Sequence, residues 1–250
     1  METRMGRRAG GSVRRAVTGA GAIVASALLL GACGAGDIIG PQHEEKVDYS
    51  VTEPVTAIEV DTGAGDITVV ESDRSGIAVT ETLRWRGGDD GKPRATHRVS
   101  EGRLSLTHEC PKGGFVTSCD VDYRVEVPSG IGIRAETGSG NIVLRDLTGD
   151  IEASTGSGDI EGKGLSAKRL VGHTGSGDIE VRFRTAPEAI NVETGSGDGV
   201  IRVPAGTYNV TVHTGAGDKQ VDVGQDSAAP NKIVLRTGSG DAKVLSVRGA

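Results

Sequence analysis

Apolar and polar residues alternate in short runs along most of the chain, and run after run ends at the same five residues. Thr-Gly-(Ser/Ala)-Gly-Asp occurs six times, with one Asn-ended variant, beginning at Thr62, Thr137, Thr155, Thr174, Thr194, Thr214 and Thr237. The last six are spaced 18, 19, 20, 20 and 23 residues apart. Four and two residues before each Thr stand Ile58/Val60, Ile133/Ala135, Ile151/Ala153, Leu170/Gly172, Ile190/Val192, Val210/Val212 and Ile233/Leu235. Five and seven residues after it stand Ile67/Val69, Ile142/Leu144, Ile160/Gly162 and Ile179/Val181, and in later copies the pair moves along by two, to Ile201/Val203 and Val221/Val223. Period-two alternation on both sides predicts two half-buried strands per repeat, joined at a glycine corner. The apolar parity switches from even to odd across that corner, which a bend or bulge produces and glycine's access to positive φ permits.

One such unit carries four or five small apolar side chains, too few to fold alone. Units stacked about 4.8 Å apart bury one another's rows, so a period near 20 predicts an array. The fold class is all-β: a β-solenoid, or β-helix, of 20-residue coils over residues 131–250. Forty glycines against one Trp, three Tyr and two Phe suit a thin, two-walled core. Residues 49–130 keep the alternation but, after the corner at Thr62, lose the rhythm. They contain Trp85, Cys110 and Cys119 and are expected to form an irregular N-terminal β portion, since terminal units of an array are atypical.

The first 32 residues have the composition of an export signal. Arg4, Arg7, Arg8, Arg14 and Arg15 precede an apolar run from Ala20 to Leu30, too short to span a bilayer. Leu30-Gly31-Ala32-Cys33 resembles the lipobox of bacterial lipoproteins, which implies lipidation of Cys33 and a cell-membrane location on the extracytoplasmic face. Residues 33–48 are polar and glycine-rich and are expected to be a tether. Two Arg-Arg pairs leave the general and twin-arginine export routes both open. Removing residues 1–32 leaves 23 basic and 33 acidic residues, a net charge near −10. That charge disfavours nucleic acid and anionic lipid surfaces as partners. In an exported chain, Cys110 and Cys119 are expected to form a disulfide, and a metal site there lacks ligands beyond His108.

Tyr123-x-Val125-x-Val127-Pro128, followed by the run of TGSGD corners, resembles the bacterial putative-adhesin family of β-strand repeats. The resemblance spans roughly residues 55–247. It implies a β-solenoid-like fold and, for many members, placement on lipoproteins or membrane proteins; it supplies no catalytic residues.

Candidate chemistry lies in columns. Asp66, Asn141, Asp159, Asp178, Asp198, Asp218 and Asp241 stand at the same place in successive corners. Carboxylates at that spacing repel by roughly 1 kcal/mol per neighbouring pair in water. Either each accepts backbone N–H groups at its own corner, as Asx-turns do, or Ca²⁺ bridges adjacent corners. Asn141 favours turn chemistry, because an amide keeps the turn without the charge. The Thr column shares the inward parity and is expected to bond neighbouring backbone. One residue earlier, the outward column reads Glu136, Ser154, His173, Glu193, His213 and Arg236, a solvated ladder in which His173, Glu193 and His213 would be consecutive rungs. Signatures of catalysis (GxSxG, HExxH, a P-loop, metal-spaced CxxC) are missing, and no cofactor or metal is expected. The expectation is a non-catalytic binding, adhesin-like or structural module with an envelope or surface ligand, protein or polysaccharide. The alternatives are a glycan-acting enzyme using Glu152, Glu161 and Glu180 on one face, and an envelope scaffold or signalling partner that binds another protein.

Overall fold

The computed structural model describes residues 41–111 and 119–247. The lipobox with Cys33 and the first part of the expected tether lie outside the described residues. Strand β1 (Gln42–Val51) precedes β2 (Ala57–Thr62) and β3 (Ile67–Glu71), which flank the first corner. Then come β4 (Ile77–Arg86), β5 (Arg94–Ser100), β6 (Arg103–Glu109) and β7 (Cys119–Val127). Four corners join β8 (Gly132–Thr137) to β9 (Ile142–Arg145), β10 (Ile151–Ser157) to β11 (Ile160–Leu165), β12 (Arg169–Ser176) to β13 (Ile179–Phe183), and β14 (Ala189–Ser196) to β15 (Gly199–Pro204). The last strands are β16 (Thr207–Ala216), β17 (Lys219–Val221), β18 (Gly224–Gln225), β19 (Lys232–Ser239) and β20 (Ala242–Val247).

The strands form two ten-stranded walls. Wall A runs β1-β4-β7-β3-β9-β11-β13-β15-β20-β17, and wall B runs β18-β16-β19-β14-β12-β10-β8-β2-β6-β5. Each coil crosses from wall B to wall A at its corner, and coil-to-coil pairing is parallel. The protein is a β-solenoid. Its core is a set of rows along the stack: Leu104, Ile58, Ile133, Ile151, Leu170, Ile190 and Ile233 from wall B face Tyr123, Ile67, Ile142, Ile160 and Ile179 from wall A, all buried. Burying each large aliphatic side chain contributes about 1.5–3 kcal/mol.

Four expectations are corrected. The coils are not stacked in chain order: β19/β20 inserts between β14/β15 and β16/β17, so the coil with Thr214 ends the stack. Within residues 49–130, β6/β7 is a regular coil in parallel register beyond β2/β3, although it lacks the glycine corner; the cap proper is β1, β4 and β5, paired antiparallel. Residues 42–48 of the expected tether belong to β1. This strand escapes an apolar reading because it is an exposed edge whose polar side chains pair across, Glu44 with Arg84 at 3.2 Å and Glu45 with Lys92 at 2.7 Å. Finally, the later coils keep the common register: Gly199 lies beside Ile179, and a Cβ there would meet Leu235 Cδ1 at 2.5 Å. Leu235 fills the place of the missing side chain.

Candidate functional site

The corner column is where the chain repeats its chemistry, so its geometry comes first. Each corner Asp or Asn except Asp218, in the last coil of the stack, accepts the backbone N–H of the equivalent residue in the next coil. Asn141 donates to Asp66 Oδ1 at 2.8 Å, Asp159 to Asn141, Asp178 to Asp159, Asp198 to Asp178 at 2.7 Å, Asp241 to Asp198, and Asp218 to Asp241 at 2.9 Å. At the cap end, Asp66 N–H donates to Asp122 Oδ1 at 3.0 Å, so Asp122 plays the aspartate's part in a coil without the motif. The bonds therefore run between coils and not within one turn, as an Asx-turn would have it. Asn141 fits because only an acceptor oxygen is needed.

A second ladder runs inside the first. Thr137, Thr155, Thr174, Thr194, Thr237 and Thr214 donate their hydroxyls to the carbonyls of Gly65, Gly140, Gly158, Gly177, Gly197 and Gly240, at 2.8–3.0 Å, and Thr62 donates to Val121. All seven threonines are buried. The glycines let corners approach this closely: a Cβ on Gly177, whose φ is +142°, would lie 2.1 Å from the Gly158 carbonyl oxygen. One oxygen of each carboxylate between Asp66 and Asp241 is thus committed to structure. Asp241 gives its other oxygen to Lys243 Nζ at 2.8 Å; that bond and the N–H of Asp218 hold its pKa below the usual carboxylate value. Among the described residues, no three His, Cys, Asp or Glu side chains converge as a metal shell requires.

The outward column in wall B is reordered by the inserted coil. His173 pairs in register with Glu193, Glu193 with Arg236, and Arg236 with His213. His213 is therefore three rungs from His173, and a cation separates it from Glu193. The three glutamates of the glycan-acting alternative are divided too. Glu152 is on wall B, 2.6 Å from Arg134, whereas Glu161 and Glu180 are neighbours on wall A.

One feature of the cap escaped the sequence reading. Glu81 is only 4% exposed and accepts the Tyr49 hydroxyl at 2.6 Å, with His97 stacked on Tyr49 at 4.4 Å between ring centroids. Burial pushes the Glu81 carboxyl up, an effect the Tyr49 hydrogen bond and His97 oppose. Burial and Glu81 also raise Tyr49 and Tyr123 far above the ordinary phenol value. The signal was present: Glu81 shares the inward parity of Ile77, Val79, Leu83 and Trp85. Nearby, Cys110 and Cys119 are disulfide-bonded, with Cα atoms 5.9 Å apart. His108 sits beside them, its pKa lowered by burial.

Wall A's outward face carries one row of like charge, Arg145, Lys163, Arg182 and Arg202, on successive strands β9, β11, β13 and β15. Sequence lining-up on the apolar positions passed over it, because outward residues were read only beside the corner.

Two walls of parallel strands, stitched at one corner by Thr and Asp ladders, define a β-solenoid whose repeated polar residues are structural. The Toastrack DUF4097 family model matches residues 55–201, and the chain belongs to that family. One solved structure shares the fold, and a second is similar to the chain. A putative cell adhesion protein from Clostridium sporogenes is 13% identical with a TM-score of 0.50, covering 82% of this chain and all of its own. A putative adhesin from Bacteroides fragilis is 14% identical with a TM-score of 0.44, over 82% of this chain and 97% of its own. None of the curated proteins matches the chain in sequence.

Proposed function

We propose that the protein is a lipid-anchored, non-catalytic binding module of the cell envelope, held to the membrane through Cys33 and presenting its walls to an envelope or surface ligand. The observation that carries this reading is the commitment of the corner ladders. The side chains that recur in every coil bond the neighbouring coil, so what varies, and can recognise, is the outward residues of two rigid sheets. The name carried by the Clostridium sporogenes structure, a putative cell adhesion protein, points the same way. Export and anchoring rest on the basic, apolar and Leu30-Gly31-Ala32-Cys33 sequence.

The test is photo-crosslinking of the lipidated chain in its native envelope, with probes on wall A and wall B, against a Cys33→Ala control. A discrete adduct from one wall supports the module. Turnover of an envelope glycan that a Glu161→Gln or Glu180→Gln change abolishes would overturn the non-catalytic assignment.

A further inference from the structure

Resting on the binding-module reading, the geometry points to a ligand class: we infer that wall A binds a linear acidic polysaccharide with a carboxylate on each sugar, laid along the stack over Arg145, Lys163, Arg182 and Arg202. These four cations occupy successive rungs, with Arg145 opposite Lys163 and Arg182 opposite Arg202 in register. Rungs in a parallel sheet are about 4.8 Å apart, so each pair is a rigid step of positive charge at that spacing, and the two pairs meet where β11 and β13 shift register after Gly162. A polymer of sugar rings repeats on a similar scale, and its charges can meet the row one after another. A compact anion can meet only one or two of them.

The row stands out against a chain whose net charge is near −10 once residues 1–32 are removed. Three of its members have acidic neighbours from the adjacent outward row. Arg145 lies 3.6 Å from Glu161, which also pairs with Lys163, and Arg202 lies 3.0 Å from Glu180. These exposed pairs are weak, in the range of about 0–1 kcal/mol, and a polymer carboxylate can compete for the cations. Arg182 forms no ion pair among the described residues and is exposed. Arg184, one residue past the same strand, is paired with Asp146 at 2.6 Å. Guanidinium groups present two parallel N–H donors that match a carboxylate, which favours uronate-type charge for a row with three arginines in four places.

The row is also set in aliphatic surface. Val70 and Leu245 continue it at either end, and Val143 and Val200 flank the glutamates in the adjacent row. All four are half-buried. Sugar rings have apolar faces of C–H groups, and alternating cation and aliphatic surface suits them better than a wholly charged strip.

The experiment is titration of the full chain in detergent micelles with fluorescent polygalacturonate, its monomer galacturonate, neutral dextran and poly(glycerol phosphate). Expected are saturable polygalacturonate binding that weakens steeply with salt, and none by the monomer or dextran at the same sugar concentration. Arg182→Gln/Arg202→Gln weakens binding by about tenfold, the scale of two exposed charge-assisted contacts. Glu161→Gln/Glu180→Gln tightens it a few-fold by removing the competing carboxylates, a gain that a merely unfolded variant cannot give. Arg103→Gln/Arg169→Gln, on wall B, leaves it within about twofold. Equal binding of dextran, binding only of the phosphate polymer, or indifference to both wall A variants overturns the assignment. If polygalacturonate fails while envelope crosslinking captures a partner, the ligand class is wrong and the module stands; if both fail, the module falls too.

Discussion

Gly177→Ala and Asp178→Asn alter adjacent residues of one corner, and the ladders predict opposite outcomes for them. A Cβ on Gly177 would lie 2.1 Å from the carbonyl oxygen of Gly158 and 2.9 Å from Asp159 Oδ1, both on the neighbouring coil. Ordinary contact begins near 3.4 Å, so the coils must part by about 1.3 Å at this corner. Three bonds cross there: Gly158 N–H to Ser176 O at 2.9 Å, Thr174 hydroxyl to Gly158 O at 3.0 Å, and Asp178 N–H to Asp159 Oδ1 at 2.8 Å. None survives that displacement. At about 1 kcal/mol each, with 1–3 kcal/mol for a non-glycine at φ +142°, the loss is roughly 4–6 kcal/mol. For a chain of this length that is a fall of about 10–20 °C in melting temperature. Asp178→Asn keeps the acceptor for the Asp198 N–H, as Asn141 does for Asp159. It exchanges a charge-assisted bond for a neutral one, a loss of about 1 kcal/mol, and removes repulsion of similar size from Asp159 and Asp198. The net change is within about 1 kcal/mol, or 3 °C. Thermal melts followed by far-UV circular dichroism at neutral pH decide it. Equal midpoints, or a larger fall for Asp178→Asn, would refute the ladder as the coil-to-coil fastening.

Thr174→Val keeps the shape of a fully buried side chain but removes the hydroxyl donated to Gly158, and chemical denaturation is expected to show a loss of about 1–2 kcal/mol. Reduction of Cys110–Cys119 opens a loop of about ten residues, lowering stability by roughly 2–3 kcal/mol. The β-sheet circular dichroism is expected to persist under reduction, and its collapse would show that the cap nucleates the array. Glu81→Gln is expected to raise the melting temperature at pH 7.5, with the gain shrinking toward pH 4. The sign follows from a folded-state pKa raised above the ordinary 4.5: the buried carboxyl is favourable while protonated, and that contribution is lost as pH rises through the folded value. A melting temperature lowered by Glu81→Gln at pH 7.5 would contradict the burial assignment.

Much of the fold was legible because its period is written in residues that do one job each. Ile58, Ile133, Ile151, Leu170, Ile190 and Ile233, four residues before a corner Thr, and Ile67, Ile142, Ile160 and Ile179, five residues after one, are core rows, and the TGSGD corner is a corner. The ladders were only half legible. A sequence shows that Asp recurs, yet whether it bonds its own turn or the next coil depends on a separation that only stacking creates. Strand β1 was missed for a different reason. As an edge with one solvated face and cross-strand charge pairs, it carries little alternation, and Glu44, Glu45, Lys46 and Asp48 read as a linker. The coil β6/β7 was hidden because Asp122 replaces the corner motif, with Arg84 Nη1 on its second oxygen.

The exchanged coils at the far end have a physical cause that was within reach of the sequence. Because every corner offers the same donors on one side and the same acceptors on the other, the ladders accept coils in any order. The core rows do not. Five residues after Thr214 stands Lys219, in register with Ala242 and so in the row that Ile67, Ile142, Ile160 and Ile179 occupy. An ammonium sealed between two coils would have no solvent and no partner, at a cost of several kcal/mol. At the end of the stack Lys219 is exposed. The coil after it carries Ile233, Leu235, Ala242 and Val244, all buried, and can take the interior place. An inward-pointing lysine on a terminal strand also blunts that edge against further stacking. A single charged residue in a core row therefore sets the order of the coils and ends the array.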